Sequence, residues 1–479
     1  MTSVIHFGTD GWRALMGKDF TFENVERVAQ AFGDYLHERF AQTARKEEPK
    51  VAIGFDRRKD SENFARTFAE VLIANGLQVF LSDVPCPTPA VSYAVVNGRL
   101  DAGVVITASH NPPDYNGIKI KTDFGGSADR SITDAIEALI GKKGVLKKPS
   151  SVDNPRRDPM NERYLTFLKS YVNLEAIKAS PYRILVDSMH GVGARHLEQI
   201  LEGGRIQVHT IRSGKDEAFG GVNPEPIPQN MAVTMEMMKS LRFDLAVVTD
   251  GDGDRIGAAR PGGEFVSPGT ILSLILLHLA QDLGRKGSVV TTISNTALIY
   301  KVARKLGLAV HETPVGFKYV CEIMRRENVL IGGEESGGIG FQNYLYERDG
   351  MLSALLLMEM MAMRKRSFEE ILKSVESEFG KRHYVRSDIH YPQELKPKLF
   401  RHLSSSPPLE FCGKKVIEVK SNDGMKFLFE DDAWLLFRLS GTEPLLRIYA
   451  EALSRELAEA FVREGEKLAF SLPSATPSA

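Results

Sequence analysis

Short apolar runs alternate with segments of helical period through most of the first 365 residues. Residues 51–56 (VAIGFD) read as a buried strand. Phe64, Phe68, Val71 and Leu72 then recur at helical spacing, and Gly76 is placed to end that helix. Residues 77–83 and 102–107 are further strands. The same beat returns at 184–187, 206–211 and 245–249, with helical patterns at 194–201 and 231–241 between them. It returns a third time at 289–293, 310–313 and 329–332, separated by helices near 297–306 and 318–327. Such alternation builds α/β layers with helices packed on mixed or parallel sheets. Three rounds predict three similar α/β domains.

The last hundred residues follow another pattern. Residues 416–420, 426–430 and 434–439 are close-spaced strands, with Asn422-Asp423-Gly424 as a hairpin turn and a helix near 455–470. An α+β domain is expected there. The units are expected at 1–150, 151–256, 257–368 and 369–479. Length alone, at ~150 residues per domain, suggests about three, but the direct repeat outweighs that prior. Lys142, Lys143, Lys147 and Lys148 with Pro149 and Pro155 suggest a solvated linker, and residues 473–479 a disordered tail.

Composition narrows the function. Hydrophobic residues make up 43% and charged residues 26%, as in soluble globular chains. Lys+Arg 61 against Asp+Glu 62 leaves a net charge of −1, so neither nucleic acid nor a membrane is expected as a partner. Any anion site must be built locally. Cys86, Cys321 and Cys412 form no CxxC pair, which argues against a disulfide framework or a zinc site. The start lacks the basic and apolar regions of a secretory leader. The apolar stretches 271–280 and 352–363 are shorter than the ~20 residues a bilayer requires and read as buried core helices. A cytoplasmic location is expected.

Ligand sites in open α/β sheets gather at the carboxyl ends of strands, and three polar, glycine-rich segments stand at such ends. The first is TASHNPP, residues 107–113. Ser109 would emerge there into a turn stiffened by Pro112 and Pro113, although a plain Ser/Asn turn has the same composition. It lacks the G-x-S-x-G of a hydrolase elbow, and His110 is poorly placed as its base. Ser109 is instead a candidate phosphoryl carrier. Lys119, on a nearby strand, is a candidate cation or proton donor, and with Lys121 it equally suits an ordinary two-lysine strand face.

The second segment is DGDGDR, residues 250–255. Carboxylates at i, i+2 and i+4 with Gly between them can converge on one hard cation, and unpaired they would repel. An EF-hand is excluded because Arg255 and Pro261 stand where that loop needs Gly and Glu. Few protein ligands with room for a phosphate oxygen suit Mg²⁺. The third segment, GGEESGGIG at 332–340, offers Glu334 and Ser336 to sugar hydroxyls, or is a glycine-rich loop of no special purpose. A fourth, RLSGTEPLLR at 438–447, sets Arg, Ser and Thr around a Gly turn as an anion nest or as an Arg-bearing hairpin. Thr313-Pro-Val-Gly-Phe-Lys318 joins a strand to a helix, either to bring Lys318 to the same cleft or as an ordinary connection. No GxxxxGK[ST] occurs and 191–196 lacks a third dinucleotide-binding glycine, so ATP and NAD sites are disfavoured.

In this order, with FGTDGWR at 7–13, the segments resemble the α-D-phosphohexomutase family of phosphoglucomutases and phosphomannomutases. The resemblance covers essentially the whole chain. It implies four domains around one cleft and the exchange of a hexose between its 1-phosphate and 6-phosphate, with glucose the expected sugar. By the same resemblance Ser109 would be a phosphoserine. Asp250, Asp252 and Asp254 would hold Mg²⁺ with a phosphoserine oxygen. Lys119 would be the general acid/base, and Arg13 and Arg255 would balance charge. His110 joins that catalytic set as the neighbour of Ser109. Glu334 and Ser336 would bind sugar hydroxyls, with Thr313 and Lys318 in the same pocket. Arg438, Ser440, Gly441, Thr442 and Arg447 would hold the phosphate that does not react.

A hexose 1,6-bisphosphate is the implied intermediate and activator, and a small sugar phosphate the implied partner. A monomer is the starting expectation for subunit state. Turning the bisphosphate over suits a C-terminal domain hinged near 366–385. Phosphoglucosamine mutases usually carry Gln where Glu335 stands and His where Gly338 stands, which disfavours an amino sugar. The alternatives are a phosphomannomutase, a dual-specificity enzyme and, less favoured, an amino-sugar mutase or a silent sugar-phosphate binder.

Overall fold

The computed structural model describes residues 5–8, 10–43, 47–147, 155–439 and 444–471. Its first sheet contains β1 (Trp12–Leu15), β2 (Lys50–Phe55), β3 (Gln78–Ser82), β4 (Ala102–Ile106), β5 (Tyr115–Thr122) and β6 (Arg156–Asp158). The second contains β7 (Arg183–Asp187), β8 (Gln207–Ile211), β9 (Leu245–Thr249), β10 (Ile256–Ala259) and β11 (Phe265–Val266). The third contains β12 (Ser288–Thr292), β13 (Val310–Thr313), β14 (Val329–Gly333) and β15 (Ile339–Phe341). The fourth is β16 (His383–His390), β17 (Glu410–Phe411), β18 (Lys414–Lys420), β19 (Met425–Phe429), β20 (Trp434–Leu439) and β21 (Leu445–Ala452).

The first three sheets repeat one strand order: β5-β4-β2-β3, β10-β9-β7-β8 and β15-β14-β12-β13. Within each, three strands run parallel and one antiparallel strand closes the side, at β5, β10 and β15. The turn into that antiparallel strand is the same structural position in every unit. It carries residues 107–114 in the first, 250–255 in the second and 334–338 in the third. The fourth sheet is antiparallel throughout its long strands and has the helix Arg455–Ser471 against it, an α+β unit. The units surround one cleft, across which Lys119 of the first reaches Asp252 and Asp254 of the second.

Most expected strands and helices lie within a residue or two of their predicted places. The helix Phe22–Ala41 is not among them, because buried Gln30 and Asp34 interrupt its apolar stripe; Thr21 caps it by accepting from the Asn24 amide at 3.2 Å. Strand membership also departs from the expected boundaries. The strand Arg156–Asp158 joins the first sheet beyond residue 150, and β10 and β11 extend the second beyond 256. Neither short edge strand has the apolar alternation that sequence reading depends on. The apolar stretches form the buried helices Pro268–Leu277 and Gly350–Arg364. Among the described residues no helix is long and apolar enough to cross a membrane.

Parts of the expected linker are tied down: Lys143 pairs with Asp34 and Lys147 with Glu26. Lys148, Pro149 and the segment 473–479 lie outside the described residues. Most of the expected hinge is helical. Ser367 and Glu370 form a reciprocal cap at the start of Phe368–Phe379, and Arg260 binds Glu369 and Glu376 on that helix at 2.7 and 2.9 Å. Only Gly380, at φ +84°, Lys381 and Arg382 separate the helix from β16.

Lys121 on β5 and Glu347 ahead of the helix Gly350–Arg364 form a fully buried ion pair between the first and third units. Removing one partner leaves a buried charge without its counter-ion, a loss of about 3–5 kcal/mol. Lys121→Met should therefore lower the thermal transition clearly, and Lys121→Met/Glu347→Met should recover part of the loss. Differential scanning calorimetry checks both.

Candidate active site

The first two of these turns meet at Ser109, and the third lies against the second at Arg255 and Ile256. Ser109 is buried and left-handed at φ +53°, which costs a non-glycine residue about 1–2 kcal/mol. Its amide donates to Thr107 Oγ1 at 2.8 Å, and its hydroxyl donates to Asp250 Oδ2 at 2.9 Å. His110 Nδ1 is 3.4 Å from the same hydroxyl, the outer limit of a hydrogen bond. Burial, then the charges of Arg255 and Arg13, push His110 well below its ordinary pKa.

Asp250, Asp252 and Asp254 are all buried, each with a carboxylate oxygen within 4.8 Å of the others. Lys119 Nζ donates to Asp252 at 2.7 Å and Asp254 at 2.8 Å and lies 3.1 Å from Asp10. Thr88 adds a donor to Asp252 at 2.6 Å. Oδ1 of both Asp252 and Asp254 is buried with no hydrogen-bond partner. Unpartnered carboxylate oxygens in a buried acidic cluster suit a hard divalent cation. Burial and the Asp252 and Asp254 charges push Asp250 well above the usual carboxylate range. For Asp252 burial pushes upward too, but Lys119 prevails and the pKa falls. Burial would depress Lys119, yet Asp10, Asp252 and Asp254 raise it, so the ammonium is held charged.

Arginines flank this core. Arg13 donates to Asn111 Oδ1 at 2.8 Å and lies 3.8 Å from Asp10. The Arg255 amide donates to Asp250 Oδ1 at 3.1 Å, and its guanidinium lies 3.9 Å from both Asp254 and Glu225. Sequence reading missed Arg348, which donates to Asp254 at 2.7 Å and Asp10 at 2.6 Å and lies 3.5 Å from Glu334. It also missed Asp10, although FGTDGWR contains it. The charged run Glu347-Arg348-Asp349 directly before a buried helix was the available signal. Asp349 caps that helix, accepting from the Leu352 amide at 2.8 Å.

The remaining candidates are placed less centrally. Glu334 is buried and Ser336 half-buried in the third turn. Thr313 is buried and donates to the Pro314 carbonyl at 3.0 Å. Lys318 lies over the Tyr319 ring at 5.1 Å, and its charge acts on Asp129. On the fourth sheet Arg438 pairs with Asp423 at 2.8 Å, and Arg447 lies 3.4 Å from Asp388. Arg386, not anticipated, binds the same Asp388 through both carboxylate oxygens at 2.7 and 2.6 Å. Ser440, Gly441 and Thr442 lie outside the described residues.

Four patterns describing the phosphoglucomutase/phosphomannomutase α/β/α domains I, II and III and C-terminal domain match residues 4–145, 162–263, 267–379 and 408–467. A phosphoglucomutase/phosphomannomutase of Thermococcus kodakarensis is 31% identical over 463 residues, covering 96% of this chain and 98% of its own. A phosphoglucosamine/phosphogalactosamine mutase of Sulfurisphaera tokodaii is 31% identical over 474 residues, covering 96% and 98%. A crystal structure from Thermus thermophilus, provisionally named a phosphomannomutase, superimposes with a TM-score of 0.86 at 36% identity, covering 98% and 99% of the two chains.

Loss of a carboxylate from the acidic turn should weaken divalent-cation binding. Asp254→Asn is expected to raise the Mg²⁺ dissociation constant about tenfold or more, measured by isothermal titration calorimetry without substrate.

Proposed function

The chain belongs to the phosphoglucomutase/phosphomannomutase family, and from that premise we propose a phosphohexomutase that carries its phosphoryl group on Ser109 and acts most readily on glucose phosphates. The observation that carries the proposal is the Ser109 hydroxyl 2.9 Å from Asp250, in a buried acidic turn braced by Lys119. Asp250, Asp252 and Asp254 would hold Mg²⁺ together with an oxygen of the phosphoserine. The bound ion would neutralise charge on the transferring phosphoryl group.

A phosphoserine carries about −1.5 to −2 charges and a sugar phosphate a similar load. Arg13 and Arg255 lower that repulsion. The phosphoryl group leaves Ser109 Oγ for one sugar hydroxyl as the P–Oγ bond breaks and a new P–O bond forms, giving a hexose 1,6-bisphosphate. Lys119, held as an ammonium, would donate its proton to Ser109 Oγ as the P–Oγ bond breaks and then take up the proton that the sugar hydroxyl gives up, a role worth ~10²–10⁴ in rate. The bisphosphate then turns over and returns its other phosphate to Ser109. Glu334 and Ser336 accept and donate to sugar hydroxyls, with Thr313 and Lys318 at the pocket's border. Arg438 and Arg447, with Ser440, Gly441 and Thr442, grip the phosphate that is not reacting. Closure of the cleft keeps water from competing with the sugar.

Glu335 and Gly338 support a neutral sugar, since amino-sugar enzymes of this family usually carry Gln and His there. Gly338 lies beneath Arg348: a Cβ at this position would come 2.2 Å from Arg348 Cδ. A side chain there would require Arg348 to shift from the position in which it binds Asp10 and Asp254. The relative named for amino-sugar phosphates favours the second reading, a phosphoglucosamine mutase. Comparing kcat/KM for glucose, mannose and glucosamine 1-phosphates, with Mg²⁺ and a trace of hexose 1,6-bisphosphate, separates them. A clear bias toward glucose is expected. Equal values for glucose and mannose would mean a dual enzyme, and turnover of glucosamine 1-phosphate alone would overturn the neutral-sugar reading.

The same pocket predicts a pH dependence. Burial lifts Glu334 to about 7, with Arg348 opposing and Glu335 adding to the shift. Its ionised form accepts from hydroxyls and disappears as pH falls through that value. The acid limb of kcat/KM should therefore lie near neutrality and be lost in Glu334→Gln. A pH–rate profile of both proteins is the check, and an unchanged limb in the variant would remove Glu334 from this role.

A further inference from the structure

Behind Ser109 lies a residue with no part in the mechanism above. Arg58 is 1% exposed, and its two terminal nitrogens donate to four main-chain carbonyls, three in the turn after β4 and one at the start of β5. Nη2 donates to Ser109 O at 2.8 Å and Asn111 O at 2.6 Å. Nη1 donates to Pro112 O at 2.6 Å and Tyr115 O at 3.0 Å. Four carbonyl dipoles thus point their negative ends at one buried spot. Left alone they would repel and each would lose a donor, although Pro112 O would keep the Tyr115 amide at 3.1 Å. The two terminal nitrogens of a guanidinium carry four hydrogens in a plane, one for each carbonyl. An ammonium has three hydrogens around one atom and cannot match this set.

Arg58 is itself held from both sides. Its Nε lies 3.3 Å from Asp56 Oδ2, and Asp56 Oδ1 accepts from the Arg58 amide at 2.9 Å and from Ser61 Oγ at 2.6 Å. The Phe219 ring of the second unit covers the guanidinium at 5.0 Å. A few residues further on, the Pro224 carbonyl accepts from the Gly251 amide at 3.1 Å. Gly251 in turn is close against the Ser109 carbonyl, where a Cβ would come within 2.5 Å. One segment of the second unit therefore braces both Arg58 and the acidic turn.

From this geometry we infer that Arg58 is a positioning residue for phosphoryl transfer. Its guanidinium fixes the left-handed backbone of Ser109 and the turn after it, and Phe219 locks that guanidinium in place from the neighbouring unit. The inference rests on Ser109 being the phosphoryl carrier. A serine held this way presents Oγ to the acidic turn and to the sugar hydroxyl in one orientation, and an error of about 1 Å at such an atom costs on the order of 10² in rate. Substrate is gripped elsewhere, by the third and fourth units, so the effect falls on turnover.

Arg58→Lys and Phe219→Leu test this beside the wild-type enzyme. The readouts are kcat, KM and the rate at which hexose 1,6-bisphosphate phosphorylates Ser109, followed by quenched-flow mass spectrometry. Arg58→Lys should lower kcat and the phosphorylation rate together by about 10²-fold, with KM changed less than about threefold. Phe219→Leu should lower both rates by about threefold to tenfold and leave KM unchanged. A folded Arg58→Lys enzyme with wild-type rates overturns the inference, as does a loss in kcat matched by an equal rise in KM. If Arg58→Lys does not fold, Phe219→Leu decides in the same terms. A wild-type protein that neither turns over hexose phosphates nor labels at Ser109 overturns the mutase reading itself. Wild-type activity with unimpaired variants overturns only the role of Arg58.

Discussion

Three carboxylates removed from water within a few ångströms of one another dominate this molecule. Asp250, Asp252 and Asp254 would repel strongly in a low-dielectric interior, and each ion carries a desolvation penalty of several kcal/mol. The fold answers with fixed cations. Lys119 lies against Asp252 and Asp254, Arg348 against Asp254, and Asp10 holds Lys119 and Arg348 on the same carboxylate oxygen. These cations come from different units, so the acidic turn is balanced only when those units are assembled. The buried pair Lys121–Glu347 extends the same arrangement further along β5.

The repeated strand order explains how one cleft receives different chemistry from similar parts. Each of the first three sheets offers the turn into its antiparallel strand, and the sequence decorates that turn with a hydroxyl, with three carboxylates, or with two carboxylates, a serine and glycines. Backbone geometry is reused while side chains diverge. Glycines appear where the turns meet: Gly251 admits the Ser109 carbonyl, and Gly337, at φ +96°, lies against the Ile256 carbonyl at a distance no Cβ would tolerate. Close approach between units thus depends on missing side chains as much as on ion pairs.

Local pattern made much of this legible. The strands of the three repeats, the buried helix Gly350–Arg364 and the turns bearing Ser109, the Asp triplet and Glu334 all stand out because apolar runs end in polar, glycine-rich segments. What stayed hidden acts at a distance. Asp10 and Arg348 are 338 positions apart and meet only in the folded cleft. Arg58 follows a strand as an ordinary surface-type residue, yet it is among the most buried. The helix Phe22–Ala41 was obscured by polar residues that find partners in tertiary structure, such as Gln30 with Asn75 at 2.8 Å. Thr313 and Lys318 stood out by position in a connection; the Thr313 hydroxyl turns to its own neighbour Pro314, and Lys318 lies over Tyr319 with its charge acting on Asp129.

The short link between the helix Phe368–Phe379 and β16 bears on how the fourth unit moves. Gly380, Lys381 and Arg382 can span only about 10 Å when fully extended. A tether that short permits rotation and forbids departure. On the proposed function, the arginines of the last sheet would stay at high local concentration over the cleft. Closing over a sugar phosphate still held in the cleft would then be a first-order event, independent of protein concentration.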